Sequence, residues 1–266
     1  MPPVYHQLNR PPPQGRVLQL KDTKLRRLIH HTSKTFGCQV LTRNQNLSMI
    51  TLLGLKINCM LKSVIKEFFD LTSIELPEWL NESFTNDSAN LKSYAFKSNH
   101  CRSIRLCELN VENKFQAETL VIYPDYCYDT PIFGTEYLKI GNKKYFGAID
   151  FHPINNNESY FPYIEMFPDK KTITSKFYDL NKYFTNKLWV RKGNECFYNE
   201  YQIMIKCYLH QYKKCLFNFD TKKESFENEH NNFNRYMSSN DPAFGILKSY
   251  FNKDFTEKYI QEFLFN

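Results

Sequence analysis

The 266 residues contain no GxGxxG turn, no Walker loop, no HExxH and no GxSxG. Dinucleotide, nucleoside triphosphate, zinc-peptidase and serine-hydrolase chemistries therefore have no motif to rest on. Eight cysteines (Cys38, Cys59, Cys101, Cys107, Cys127, Cys196, Cys207, Cys215) include no CxxC pair and no Cys/His set at zinc or iron–sulfur spacing, and the seven histidines are scattered. No metal site is expected, and the cysteines read as reduced thiols. No apolar run approaches the roughly 20 residues that cross a bilayer, so no membrane partner is expected. There is no internal repeat. Against these absences stand 42% hydrophobic and 16% aromatic residues, a composition far from disorder and enough for one domain with a sizeable core.

Acidic residues are missing from the start of the chain. Residues 1 to 65 carry ten Lys or Arg and a single acid, Asp22, so the remaining 201 residues hold 25 basic and 27 acidic side chains. The net charge of +7 thus belongs to the N-terminus, and a nucleic-acid partner is not expected. With "NRPPPQGR" and many Arg and Ser/Thr, residues 1–55 read as an N-terminal extension of targeting or disordered character; residues 56–266 read as the domain.

Within the domain, "NCMLKSVIKEFFDL" has apolar residues at helical spacing and is stopped by "IELPEWL". From about 92 to 151 come short β-rich segments: "SYAF", "SIRLCELNV", "FQAETLVIYP", "TEYLKI" and "KYFGAIDF", the last two joined by the hairpin-like "GNKK". They predict an antiparallel meander. Loop-like residues 152–182 with a short helix follow, then a long helix over "CFYNEYQIMIKCYLHQYKKCLF", a polar helix, and an amphipathic C-terminal helix over "FTEKYIQEFLF". The order helix, sheet, helices predicts an α+β fold with helices on the sheet's faces.

Two acids sit in unusual settings. If the run after Gly134 is a strand, Glu136 shares a face with Leu138 and Ile140. Desolvation there would raise its pKa and keep it protonated near neutrality, as a proton donor requires; pairing with a cation at a sheet edge is the structural alternative. Asp241 opens "DPAFGILKSYF", where Asp followed by Pro reads as a helix cap. Asp150, inside a strand, fits a structural hydrogen bond as well as catalysis, and His152 reads as a satisfied core histidine.

"SYAFKSNHCRSIRLCEL" running into "FQAETLVIYPDYCYDTPIFGTEYL", then "YFGAIDFHP", "YFTNKLWVR" and "NDPAFGILKSYFNKDFTEKYIQEFLF" together resemble the ferredoxin-dependent bilin reductases over roughly residues 58–266. The resemblance implies a three-layer α/β/α sandwich with a central antiparallel sheet, and a linear tetrapyrrole held between the sheet and the C-terminal helices. It also implies no bound cofactor or metal: electrons come from reduced ferredoxin and protons from side chains. Glu136 falls where most of the family carries a proton-donating aspartate and some an asparagine; Asp241 matches the family's second acid, at the pocket mouth. Thr119 stands where the phycocyanobilin-forming enzymes carry a catalytic histidine, and Arg105 lies near another of their histidines, so phycocyanobilin formation is not expected. Arg191 and Lys176 are candidates for the substrate's propionates, since a guanidinium suits a carboxylate.

"SYAF", the ungapped spacing after it and "LWVR" resemble the branch that reduces 15,16-dihydrobiliverdin to phycoerythrobilin, which is the expected reaction. "YPDYCYD" and "NKDF" resemble the branch acting one step earlier, on biliverdin. That branch, phytochromobilin synthesis and a non-catalytic bilin carrier are the alternatives. The expected partners are the tetrapyrrole, ferredoxin docked on a basic patch, and an upstream bilin reductase handing over substrate. A monomer is expected, and the basic, acid-poor N-terminus makes the plastid, in the chloroplast stroma, the expected location.

Overall fold

Consecutive antiparallel strands dominate the computed structural model, which describes residues 60–266 except 82, 87, 142, 156–159, 171–173, 195 and 219–224. The extension assigned to residues 1–55, and its targeting role, lie outside the described residues. The strands are β1 (Thr72–Ser73), β2 (Ser83–Thr85), β3 (Ala89–Ser98), β4 (Cys101–Val111), β5 (Phe115–Pro124), β6 (Ile132–Ile140), β7 (Lys144–His152) and β8 (Trp189–Gly193). They form one sheet in the order β1-β3-β4-β5-β6-β7-β8, with β2 also on β3. The meander β3 to β7 is the one the alternation predicts. Gly141 opens the β6–β7 turn at φ +55°, a left-handed conformation that costs glycine little.

Helices cover both faces: α1 (Met60–Phe68), α2 (Phe161–Ile164) and α3 (Phe197–Asn218) on one, α4 (Glu227–Asn240), α5 (Ala243–Phe251) and α6 (Lys253–Lys258) on the other. α6 continues into a π-helical turn, Tyr259–Leu264. The first core packs Ile104, Leu106, Leu120, Ile122, Phe133, Tyr137, Ile149 and Phe151 of the sheet against Tyr201, Tyr208 and Tyr212 of α3. The second packs Leu91, Ala95, Leu109, Val121, Tyr123 and Ile132 against Phe233, Leu247, Tyr259 and Phe263. These are the two sides of an α/β/α sandwich, one residue out of register along every strand.

Several polar groups inside the first layer are paired. Glu118 is buried and accepts the Leu61 N–H at 2.9 Å, so a carboxylate meets the positive end of α1. Thr135 donates to the Ala148 carbonyl at 2.8 Å and lies 2.6 Å from the Tyr201 hydroxyl. α3 approaches β7 closely because position 147 has no side chain: a Cβ there would stand 2.7 Å from the Tyr201 ring and 2.9 Å from Phe197. Gly147→Ala must displace packed aromatic rings and should lower unfolding free energy by about 1–3 kcal/mol. Chemical denaturation reads this directly, and an unchanged midpoint and slope would contradict the packing described.

Candidate active site

The strand register carries one row of side chains across the sheet beneath the C-terminal helices. Ser93 pairs with Cys107, Cys107 with Thr119, Thr119 with Glu136, and Glu136 with Ala148. Every member but Glu136 is small, so the row is a shallow trough with one carboxyl in its floor. Thr119 is thereby placed beside Glu136. Tyr259, at the start of the π-helical turn, closes one end: its hydroxyl lies 3.0 Å from Ser93 Oγ and also hydrogen-bonds Cys107. Burial pushes the Cys107 thiol up to about 12, so it is protonated at neutral pH.

Asp241 faces this trough from the helical layer. It terminates α4 with extended backbone, φ −65° and ψ 119°, and its Oδ1 accepts the Ala243 N–H at 2.7 Å. The capping expectation is met, and the same carboxyl that caps α5 also lines a cavity of about 400 Å³ together with Lys176, Phe177, Ser238, Phe244 and Ile260. Burial raises Asp241 to about 6, against the opposing Ala243 hydrogen bond. Glu136 is raised further, to about 7, first by burial and then by repulsion from Asp241. Of two acids near one another, the second must ionise against the charge of the first. Asp241 ionises first and Glu136 holds its proton into the neutral range.

Other expected residues divide. Lys176 is exposed and lines the cavity with Asp241. Arg191 is corrected: it shares a sheet face with Trp189, packed in the first core, and pairs with Glu200 of α3 at 3.8 Å, across the sheet from Glu136. Arg105 is on the site's face but two residues along β4 from Cys107, with its guanidinium 5.2 Å from the centre of the Phe263 ring. Asp150 is structural: it accepts the Thr185 N–H at 2.9 Å and the Thr185 hydroxyl, tying the loop before β8 to β7. Burial raises it to about 8 against those bonds. His152 is likewise satisfied: its Nδ1–H donates to the Tyr183 carbonyl at 2.8 Å, and burial lowers its pKa to about 4, leaving it neutral. Its ring lies across Gly134, where a Cβ would collide with it.

Sequence reading missed Tyr178, whose pKa rises through burial first and then through repulsion from Asp241 and Glu136. Its phenol thus lies within electrostatic reach of both acids. Tyr178 lies in the loop-like stretch, where no periodicity marks a face. Cys107 and Ser93 were missed because only non-local register puts them in line with Glu136. The described residues contain no gathering of three or more His, Cys, Asp or Glu fit for a metal.

The site is an antiparallel α/β/α sandwich in which an acid on the sheet and an acid from the helical layer sense one another. The sequence profile of the family described as "Ferredoxin-dependent bilin reductase" matches residues 59–266. The chain is 30% identical over 210 residues to a 15,16-dihydrobiliverdin:ferredoxin oxidoreductase of Prochlorococcus marinus, covering 71% of this chain and 87% of that protein. To the protein of the same description from Nostoc punctiforme it is 27% identical over 215 residues, covering 74% and 88%. Tomato phytochromobilin synthase, solved in complex with biliverdin, shares the fold at TM-score 0.64 and 18% identity, over 78% of this chain and 82% of that one. This chain belongs to the ferredoxin-dependent bilin reductases.

The coupling between the acids has a measurable consequence. In Asp241→Asn the repulsion on Glu136 is gone, so the Glu136 carboxyl should titrate at lower pH than in the wild type, as followed by its carbon-13 shift. An unmoved midpoint would mean that the two groups do not sense one another.

Proposed function

We propose that this reductase converts biliverdin to 15,16-dihydrobiliverdin, taking up two electrons from two reduced ferredoxins and two protons. The observation that carries the proton-donor part of the reading is the Glu136–Asp241 pair, one acid on the sheet and one on the helical layer, both with raised pKa. The choice of reaction rests on the relatives, which bear the 15,16-dihydrobiliverdin:ferredoxin oxidoreductase description at 26–30% identity. A second reading, reduction of 15,16-dihydrobiliverdin to phycoerythrobilin, is favoured by "SYAF" and "LWVR". Both reactions fit the same residues, because regiochemistry depends on how the tetrapyrrole lies between the acids.

In this reading the tetrapyrrole lies on the small-residue row, accepts electrons one at a time from ferredoxin with no resident cofactor, and passes through a radical. The sheet and helices exclude water from that species. Glu136 is the proton donor from the floor, because it is the acid still protonated near pH 7; Asp241, charged at that pH, takes a proton from solvent at the cavity side and passes it on as the second. Glutamate extends one methylene further than aspartate, so the carboxyl reaches deeper into the trough. Lys176 at the cavity is the candidate partner for a propionate. We also propose that residues 1–55 address the protein to a plastid, on their basic, acid-poor composition.

The deciding experiment is an anaerobic assay with reduced ferredoxin, offering biliverdin and 15,16-dihydrobiliverdin separately and identifying products by spectrum and chromatography. Consumption of biliverdin supports the first reading; consumption of the dihydro compound alone supports the second. Conversion of neither, with binding retained, would leave a carrier. Glu136→Gln should lose turnover by about 10²–10⁴-fold, the usual contribution of a positioned acid, while still binding bilin. Turnover should also fall as salt is raised, through weaker electrostatic docking of ferredoxin, and a flat salt dependence would argue against that docking.

A further inference from the structure

The cavity beside Asp241 has three walls: the α4–α5 corner, the residues Glu257, Ile260 and Gln261 of α6 and the π-helical turn, and a loop that brings in Lys176 and Phe177. Two of these walls are tied into the fold. At the corner Asp241 Oδ1 holds the Ala243 N–H. The π-helical turn is bound to the sheet by the Tyr259–Ser93 contact and by the Tyr123 hydroxyl, which donates to the Leu264 carbonyl at 3.1 Å.

The loop is held differently at its neck and at its tip. At the neck the Lys170 N–H donates to the Asn186 carbonyl at 2.5 Å and Lys187 pairs with Asp169 at 2.7 Å, while Thr185 and Tyr183 are bound to Asp150 and His152 of β7. The tip, residues 175–179, folds on itself: Ser175 Oγ accepts the N–H groups of Phe177 and Tyr178, and Asp179 Oδ1 accepts that of Asn181. Among the described residues, the tip's hydrogen bonds to the helical layer come from one side chain. The Tyr236 hydroxyl of α4 accepts the Asp179 N–H at 2.7 Å and donates to the Asp179 carbonyl at 3.2 Å. The Tyr236 ring also lies 5.3 Å from that of Tyr183 and 6.4 Å from that of Tyr178. Ser175, Lys176, Phe177 and Asp179 are exposed, so water competes for the tip's bonds.

Tyr183 stands where the tip meets the neck, at φ +56°. That left-handed conformation is uncommon for a residue with a bulky side chain. A strained loop residue beside a fixed neck is a hinge at which the chain changes direction.

The size of the cavity calls for such a movement. About 400 Å³ is near the lower end of the roughly 300–1,000 Å³ that encloses a small-molecule ligand, and a four-ring linear tetrapyrrole is larger than most of that class. The wall that yields is the one latched by a single hydroxyl.

We propose that Tyr236 is a positioning residue that latches this loop: the tip leaves α4 to admit the tetrapyrrole and is fastened over it again by the Tyr236 hydroxyl. The latch rests on the bilin reading above. Fastening returns Lys176 and Phe177 to the cavity wall and slows departure of the ligand.

The test uses the full chain, Tyr236→Phe, which keeps the ring and removes the hydroxyl, and biliverdin as the probe. Amide hydrogen exchange over residues 175–181 should be about tenfold faster in the variant, the scale of one or two lost hydrogen bonds, and biliverdin should slow it in the wild type. Biliverdin should also leave the variant about tenfold faster, as followed by absorbance after dilution, with the unfolding midpoint unchanged. Equal exchange or equal release in the two proteins would overturn the latch while leaving the bilin reading intact. If the variant does not fold, the wild type alone decides: exchange at the tip that biliverdin leaves unchanged would overturn closure over the ligand. A wild type that binds no biliverdin would overturn the bilin reading, and the gating of a tetrapyrrole with it.

Discussion

Two carboxyl groups that sense one another from opposite layers of the fold are the constraint on which the rest of the site depends. Burial alone raises each, and their mutual repulsion spreads the two titrations apart, so that near neutrality one is charged and the other carries a proton. Such a pair is unfavourable unless its surroundings enforce it. Enforcement comes from Asp241 being fixed by its hydrogen bond to Ala243 at the α4–α5 corner, and from Glu136 being fixed by a strand paired on both edges, with Thr119 and Ala148.

The two faces of the sheet divide labour. On the α1–α3 face, aromatic rings interlock: Phe167 stacks on Tyr208 with centroids 3.8 Å apart, and Phe133 and Phe151 meet Tyr212. Buried hydroxyls there find acceptors, as Tyr208 does in the Lys187 carbonyl and Tyr212 in that of Pro131. That layer gives the central strands a rigid backing. On the α4–α6 face, small side chains beside Glu136 and a π-helical turn leave chemistry open to a ligand. A π turn is a common companion of functional sites because it breaks the regular packing of a helix; here it brings Tyr259 to Ser93 and Phe263 over Arg105.

Alternation exposed the meander and the long helices because each repeats its period over many residues. It did not expose β8, where "KLWVRKGN" mixes Lys and Gly into a strand at the sheet's end, nor β1 and β2, which are too short to show a period. Glu136 was legible because one acid interrupts an apolar face, although Ile140 at that strand's end is 50% exposed and marks no core. Asp241 gave an ambiguous signal for a physical reason: the same oxygen-bearing side chain caps a helix and lines the cavity. Arg191 was chosen by chemistry without knowledge of its face, and pairing with β7 turned it away. Tyr178, Cys107 and the Tyr236–Asp179 contact rest on tertiary register that no local pattern encodes.

The most direct test of the acid pair is the rate of a single anaerobic turnover measured from pH 5.5 to 9, in the wild type and in Glu136→Gln, with ferredoxin reduced in advance. If Glu136 donates its proton, the wild-type rate falls as pH rises past about 7, and the variant is slow throughout without that inflection. An identical inflection in both proteins would assign the proton to another group and contradict the account.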